Sequence, residues 1–82
     1  MRITIYSRPG CHLCDDMKAV VQQVIQGRQE ISVDEIDISE DPALLERYEL
    51  EIPVLLIDGK KAAKYRITEE ELARRLAGEG KG

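Results

Sequence analysis

The sequence predicts an α/β fold: a four-stranded mixed sheet, in chain order β-α-β-α-β-β-α, with helices on both faces. Three features carry this. A β-branched run near the start gives way to apolar residues at helical spacing, an Asp-Gly pair separates two extended runs, and capping residues open two further helical stretches. Eighty-two residues supply one modest core and leave no room for a second domain. Residues 1–78 are expected to form that domain and 79–82 a flexible tail.

Residues 2–6 alternate Ile3 and Ile5 against Thr4 and Tyr6, as a strand does, and Pro9 and Gly10 end it. From Leu13, the residues Leu13, Met17, Val20, Val21 and Val24 fall on one helical face, with Gly27 placed to stop the helix. A second strand is expected within 31–37. Its apolar residues change phase, from Ile31 and Val33 to Ile36 and Ile38, which fits a strand covered on both sides or one with a bulge. Ser39 to Asp41 offer caps, Pro42 suits a first helical position, and Leu44, Leu45 and Tyr48 form the inner side of a short helix. Residues 54–57, an Asp58-Gly59 type I′ turn and a return near 61–65 read as a hairpin whose lysines mark an edge strand. Thr68 and Glu71 make a capping box for a last helix, with Leu72, Ala73 and Leu76 inward and Gly78 as its stop. The first βαβ unit should be a right-handed parallel crossover, and the hairpin should add two antiparallel strands.

Composition narrows the function classes. Sixteen acidic against twelve basic residues give a formal net charge of −4, and the basic residues are dispersed, which argues against nucleic acid or an anionic membrane as partner. Phe and Trp are absent and Tyr occurs three times, so no aromatic platform exists for stacking bases and an aliphatic core is expected. No apolar run reaches membrane-spanning length, and residues 1–8 show no signal-peptide pattern. Two cysteines make no disulfide scaffold. Without an export signal, their close pairing points to the reducing cytosol, to thiols used for chemistry or metal, and to a monomer in the cytoplasm.

Those cysteines are Cys11 and Cys14, set where the first helix begins. The first N–H groups of a helix lack intrahelical partners, so a thiolate there gains hydrogen bonds and favourable dipole energy. Cys11 is then the attacking thiolate, and Cys14, one turn on and less exposed, is the resolving thiol. A thiol pKa lowered from about 8.5 to about 6.5 raises the thiolate fraction at pH 7 about 25-fold, while reduced basicity returns about tenfold of that in nucleophilicity. The larger benefit is a better leaving group. Arg8 either holds positive charge near the thiolate or is a solvated loop arginine, with Asp15 and Asp16 opposing it while favouring the helix start. His12 either stabilises the thiolate and passes protons or is a tolerated polar residue. Two thiols and one imidazole fall short of the four ligands of structural zinc, so no metal site is expected within one chain.

Pro53 opens an apolar strand, where its missing N–H costs least; the alternative reading is a cis Ile52-Pro53 bond that turns the Ile52 N–H and C=O toward an extended substrate. The segments YSRPGCHLC, EIDISEDP and EIPVLLIDG, with the terminal helix, nearly span the chain in this order. They resemble the glutaredoxin family, especially its short bacterial glutaredoxin-like members of the thioredoxin superfamily. The resemblance implies a thioredoxin-like fold, Cys11 as nucleophile, a cis Ile52-Pro53 bond beside the C-x-x-C pair, and Ile52 pairing with the cysteine of glutathione or a peptide. It also implies no tightly bound cofactor, with glutathione as a candidate reductant. Two features depart from the family pattern. His12 and Leu13 replace proline and an aromatic residue between the cysteines, and Tyr65-Arg66-Ile67-Thr68 replaces a Gly-Gly pair that cradles glutathione. An anion site at Thr68 and Glu69, the start of the last helix, is opposed by the charge of Glu69 to Glu71.

The leading expectation is a thiol–disulfide oxidoreductase acting on a disulfide-containing protein or glutathione and reduced by a reductase or the glutathione system. Two alternatives come from other classes. One is an iron–sulfur or metal carrier with Cys11 from two chains holding a cluster, and the other a non-catalytic redox-sensing interaction module.

Overall fold

Ile3 and Ile5 point to one side of the first strand and Tyr6 to the other, and the rest of the fold grows from that alternation. The computed structural model describes residues 1–79, in the order β1 (Arg2–Ser7), α1 (His12–Ile25), β2 (Ser32–Asp37), a 3₁₀ turn (Ile38–Glu40), α2 (Pro42–Tyr48), β3 (Val54–Ile57), β4 (Lys60–Lys64) and α3 (Glu69–Glu79). The strands lie in the order β2-β1-β3-β4. β1 pairs parallel with β2, from Arg2 opposite Ser32 to Ser7 opposite Asp37, and antiparallel with β3, from Ile3 opposite Ile57 to Tyr6 opposite Val54. The expected four-stranded mixed sheet is therefore present. No helix among the described residues is long and apolar enough to cross a membrane.

Each face of the sheet carries its own cluster. Ile3, Ile5, Leu55 and Ile57 meet Met17 and Val21 of α1 and Leu72 and Leu76 of α3 in the larger one. On the other face, Ile38, Tyr48 and Val54 are buried, with Tyr6, Leu44, Leu45, Ile52 and Leu56 packed around them. The expectation of a wholly aliphatic core holds only for the larger cluster. In the smaller, the rings of Tyr6 and Tyr48 pack against each other, tilted by 34° with centroids 4.8 Å apart.

No bulge accounts for the phase change in β2, whose register with β1 runs unbroken: Ile31 before it joins the larger cluster and Ile38 after it the smaller, while the edge strand itself leaves Ser32, Asp34 and Glu35 exposed. The irregularity lies in β4 instead: Leu55 faces Ala63 and Leu56 faces Lys61, which leaves Ala62 unpaired. Both alanines are half-buried against the larger cluster. Helix ends follow the local chemistry. Gly27, at φ +82°, ends α1 with the Arg28 N–H bonding the Ile25 carbonyl at 2.8 Å. Asp41 caps α2 through the N–H of Ala43. Asp58 and Gly59 have φ of +50° and +85°, as a type I′ turn demands.

Two boundaries differ from expectation. β4 ends at Lys64, which leaves Tyr65 outside the strand. Gly78 does not stop α3, which continues to Glu79, since a helical glycine costs only about 1 kcal/mol against alanine and does not by itself break a helix. Residues 80–82, where most of the expected tail falls, lie outside the described residues.

Candidate functional site

Gly10, at φ +82°, turns the chain out of β1 and delivers Cys11 to the N-cap of α1. The Cys11 backbone is extended there (φ −92°, ψ 110°), and its carbonyl accepts the first helical bond, from the Asp15 N–H at 3.2 Å. The Cys14 N–H donates to Cys11 Sγ at 3.1 Å. Sulfur thus stands where a serine or aspartate oxygen stands in an ordinary cap, accepting from an N–H that no helical carbonyl can reach.

Cys11 and Cys14 are paired as a disulfide, their Cα atoms 5.2 Å apart. Cys11 is half-buried, whereas Cys14 is only 1 % exposed, beside Met17 and Val21 on the inner side of the helix. The two sulfurs are therefore unequal: one reaches the surface and the other comes from within. Sequence spacing predicts this arrangement, and the structure brings the pair together as expected.

The flanking residues face solvent. His12 is the first residue of α1 and is exposed. Arg8 is exposed and lines a cleft of about 120 Å³ with Asp15, Lys18, Glu35 and Asp37, on the β2 side of the loop. Lys18 Nζ sits 3.0 Å from Glu35 and 3.4 Å from Asp15, and those carboxylates raise its pKa, the hydrogen bond to Glu35 foremost. The Asp37 carboxylate accepts from the Ser39 hydroxyl and N–H at 2.6 and 2.9 Å. These bonds, with the charge of Arg8 adding to them, hold its pKa below the ordinary carboxylate value.

The second half of the site comes from β3. Tyr6 pairs with Val54, so Pro53, one residue earlier, falls level with Ser7 at the sheet end from which the Cys11 loop departs. Pro53 is buried and the Ile52-Pro53 bond is cis. The Ile52 N–H, expected to face a substrate, is already engaged: it donates to the Tyr48 carbonyl at 3.1 Å. This corrects the expectation, and the reason is local, because α2 ends at Tyr48 with carbonyls unpaired and the following residues turn back to satisfy them.

The sequence places Tyr65 at the end of the return strand and gives it no contact with the Pro53 loop. It adopts φ +72°, rare for a side-chain-bearing residue. Its N–H donates to the Pro53 carbonyl at 2.8 Å and its hydroxyl to the Leu50 carbonyl at 3.1 Å. Nothing in the residue type signals this role; only the contacts reveal that Tyr65 clamps the Pro53 loop from the β4 side. Beyond it, Thr68 and Glu71 form the expected capping box: the Glu71 carboxylate accepts from the Thr68 N–H and hydroxyl at 3.2 and 3.1 Å, and the Glu71 N–H donates to Thr68 Oγ1 at 3.0 Å. The donors at the head of α3, the place expected for an anion, are thus partly occupied by the chain itself. Among the described residues, no group of three or more His, Cys, Asp or Glu side chains is placed to hold a metal ion.

Residues 2–77 match the family described as Glutaredoxin-like domain (DUF836). The chain is 29 % identical over 77 residues to a Glutaredoxin-like protein YDR286C homolog of Dictyostelium discoideum, covering 88 % of this chain and 71 % of that one. Among solved structures it is similar to the structural-genomics target protein XcR50 from X. campestris, with 28 % identity, a TM-score of 0.77, and 93 % and 96 % of the two chains covered. Thioredoxin 1 of Thermosipho africanus, at 17 % identity, shares the fold alone, with a TM-score of 0.61 over 98 % and 99 % of the chains.

Proposed function

This chain belongs to the glutaredoxin-like family of thioredoxin-fold proteins, and from that premise we propose that it is a dithiol–disulfide oxidoreductase in which Cys11 attacks and Cys14 resolves. One observation carries the reading. Cys11 Sγ accepts the Cys14 N–H at the open end of α1, while Cys14 itself is sealed beneath the surface. In the reduced chain that N–H and the helix dipole stabilise a Cys11 thiolate.

The thiolate attacks one sulfur of a substrate disulfide, R–S–S–R′. A Cys11–S–S–R bond forms, the substrate S–S bond breaks, and R′S⁻ leaves and takes a proton. Cys14 then loses its proton and attacks Cys11 Sγ, expelling RS⁻, which is protonated in turn. Two electrons have passed to the substrate, and the Cys11–Cys14 disulfide remains. A thiol reductant, glutathione or a reductase-coupled dithiol, supplies two electrons and two protons to restore the pair, in a reducing compartment such as the cytosol. The Ile52 carbonyl, rather than its N–H, pairs with an extended substrate beside Pro53. Arg8 and His12 lie at the margins of this surface.

Trapping tests the order of attack. Cys14→Ser should accumulate mixed disulfides with a model disulfide or with cellular proteins, and Cys11→Ser should accumulate none. Equal trapping by the two variants, or none by either, overturns the assignment.

A further inference from the structure

A groove of about 270 Å³ lies between α1 and the β4–α3 segment. Its floor is apolar: Met17 and Ile67 are buried and Val20 is half-buried. Two exposed carboxylates, Asp16 and Glu71, stand on its rim from opposite walls. Both walls are tied to the dithiol site. Met17 follows Cys14 by three residues on the same helical face, so the groove begins about 5 Å along the helix from the resolving cysteine. Across from it, Tyr65 lines the groove and is bonded to the Pro53 carbonyl.

Resting on the oxidoreductase reading, we infer that this groove selects the substrate: it takes a lysine or arginine side chain that lies one or two residues from the reactive cysteine of a polypeptide disulfide. The apolar floor covers the methylene stem while Asp16 and Glu71 receive the cationic head, the division of labour such amphipathic side chains favour. The substrate sulfur is held on Cys11, six residues and about 9 Å along the helix from Met17. One or two residues of extended chain, about 3–7 Å, together with a lysine or arginine stem, span that offset. Charge discriminates against the small alternative. Glutathione carries two carboxylates, and the head of α3 offers Glu69, Glu70 and Glu71 together with a capping box that already uses its Thr68 and Glu71 N–H groups. Arg66 also lines the groove, but among the described residues it forms no ion pair with Asp16 or Glu71. Asp16 and the second oxygen of Glu71, whose Oε1 holds the Thr68 cap, therefore remain for a ligand cation.

The test uses two peptides, each with one cysteine in disulfide linkage to a coloured aromatic thiol, identical except for Lys or Glu two residues from that cysteine. The release rate of the coloured thiol by the reduced chain measures attack directly. The Lys peptide should react about tenfold faster than the Glu peptide, the scale of two exposed charge contacts changing sign. In Asp16→Asn/Glu71→Gln, where glutamine preserves the capping box, the ratio should fall to about two. Glu30→Gln/Glu40→Gln removes the same net charge at exposed sites outside the groove and should leave the ratio as it was. Equal rates with the two peptides, or an equal loss of preference in both double variants, overturns the inference while leaving oxidoreductase activity intact. Reaction with neither peptide, together with no trapping by Cys14→Ser, removes the underlying reading as well.

Discussion

Cys11 occupies a position that most helices give to serine, threonine, aspartate or asparagine, and this substitution of sulfur for oxygen sets its chemistry. In the reduced chain the Cys11 thiol should titrate well below the value of about 8.5 for free cysteine, and Cys14, buried and facing apolar neighbours, should titrate above it. The pH dependence of alkylation in Cys14→Ser and Cys11→Ser reads each thiol separately, and a Cys11 midpoint near 8.5 would remove the activated nucleophile. Asp37 makes a second residue-level case. Its pKa is lowered in the folded state by Ser39, so its contribution to stability is present above the unfolded value of 3.8 and disappears as pH falls through the lower folded value. Asp37→Asn should therefore flatten the acid limb of a stability–pH curve below about pH 4 and change it little near neutrality beyond a constant offset. A titration of carboxyl chemical shifts that put Asp37 at or above 3.8 would contradict this. Neither Ser39 as its partner nor the engaged Ile52 N–H is visible in residue types alone, because each depends on where the chain turns after a helix or strand ends.

Elements were legible where local chemistry and tertiary packing agree. The apolar spacing of α1, the positive φ at Gly27, the Asp41 cap before Pro42 and the Thr68–Glu71 box all follow from pairs of residues within one turn of each other. The unpaired Ala62, the left-handed Tyr65 and the continuation of α3 past Gly78 do not, since long-range pairing and core contacts settle them. The same distinction predicts how elements respond to substitution. α2 spans only seven residues, too short to persist without its cap and its packing. Asp41→Ala should cost about 1 kcal/mol and lower the melting temperature by about 4–8 °C in this size range. Glu71→Gln should be close to neutral and Glu71→Ala should cost about 1 kcal/mol, because glutamine completes the reciprocal box and alanine does not. Thermal unfolding of the three variants, with the two Glu71 variants indistinguishable, would show that the box contributes nothing.

At the scale of the whole molecule, the sheet divides the core unequally. Among the described residues, ten buried side chains form the cluster shared by α1, α3 and the sheet, whereas three form the cluster under α2. Stability should therefore be distributed unevenly as well. The α2 segment, with the Glu49 N–H bonded to Leu45 and the Ile52 N–H to Tyr48, rests on the smaller cluster and leads straight into Pro53. It should open as a unit at lower free energy than the rest, exposing little surface as it does. The amides of Ile5 and Val21, inside the larger cluster, should exchange only through global unfolding, at roughly 4–12 kcal/mol for a chain of this length. Native-state hydrogen exchange in low urea checks this: Glu49 and Ile52 should show smaller opening energies and weaker urea dependence than Ile5 and Val21. Leu72→Ala, which hollows the larger cluster at a fully buried position, should cost about 2–5 kcal/mol and lower the opening energy of Ile5 and Val21 by that amount. The Glu49 and Ile52 openings, which leave that cluster intact, should barely move. If all four amides share one opening energy and shift together in Leu72→Ala, the two faces form a single cooperative unit, and the Pro53 wall of the site is then as rigid as the core beneath Cys14.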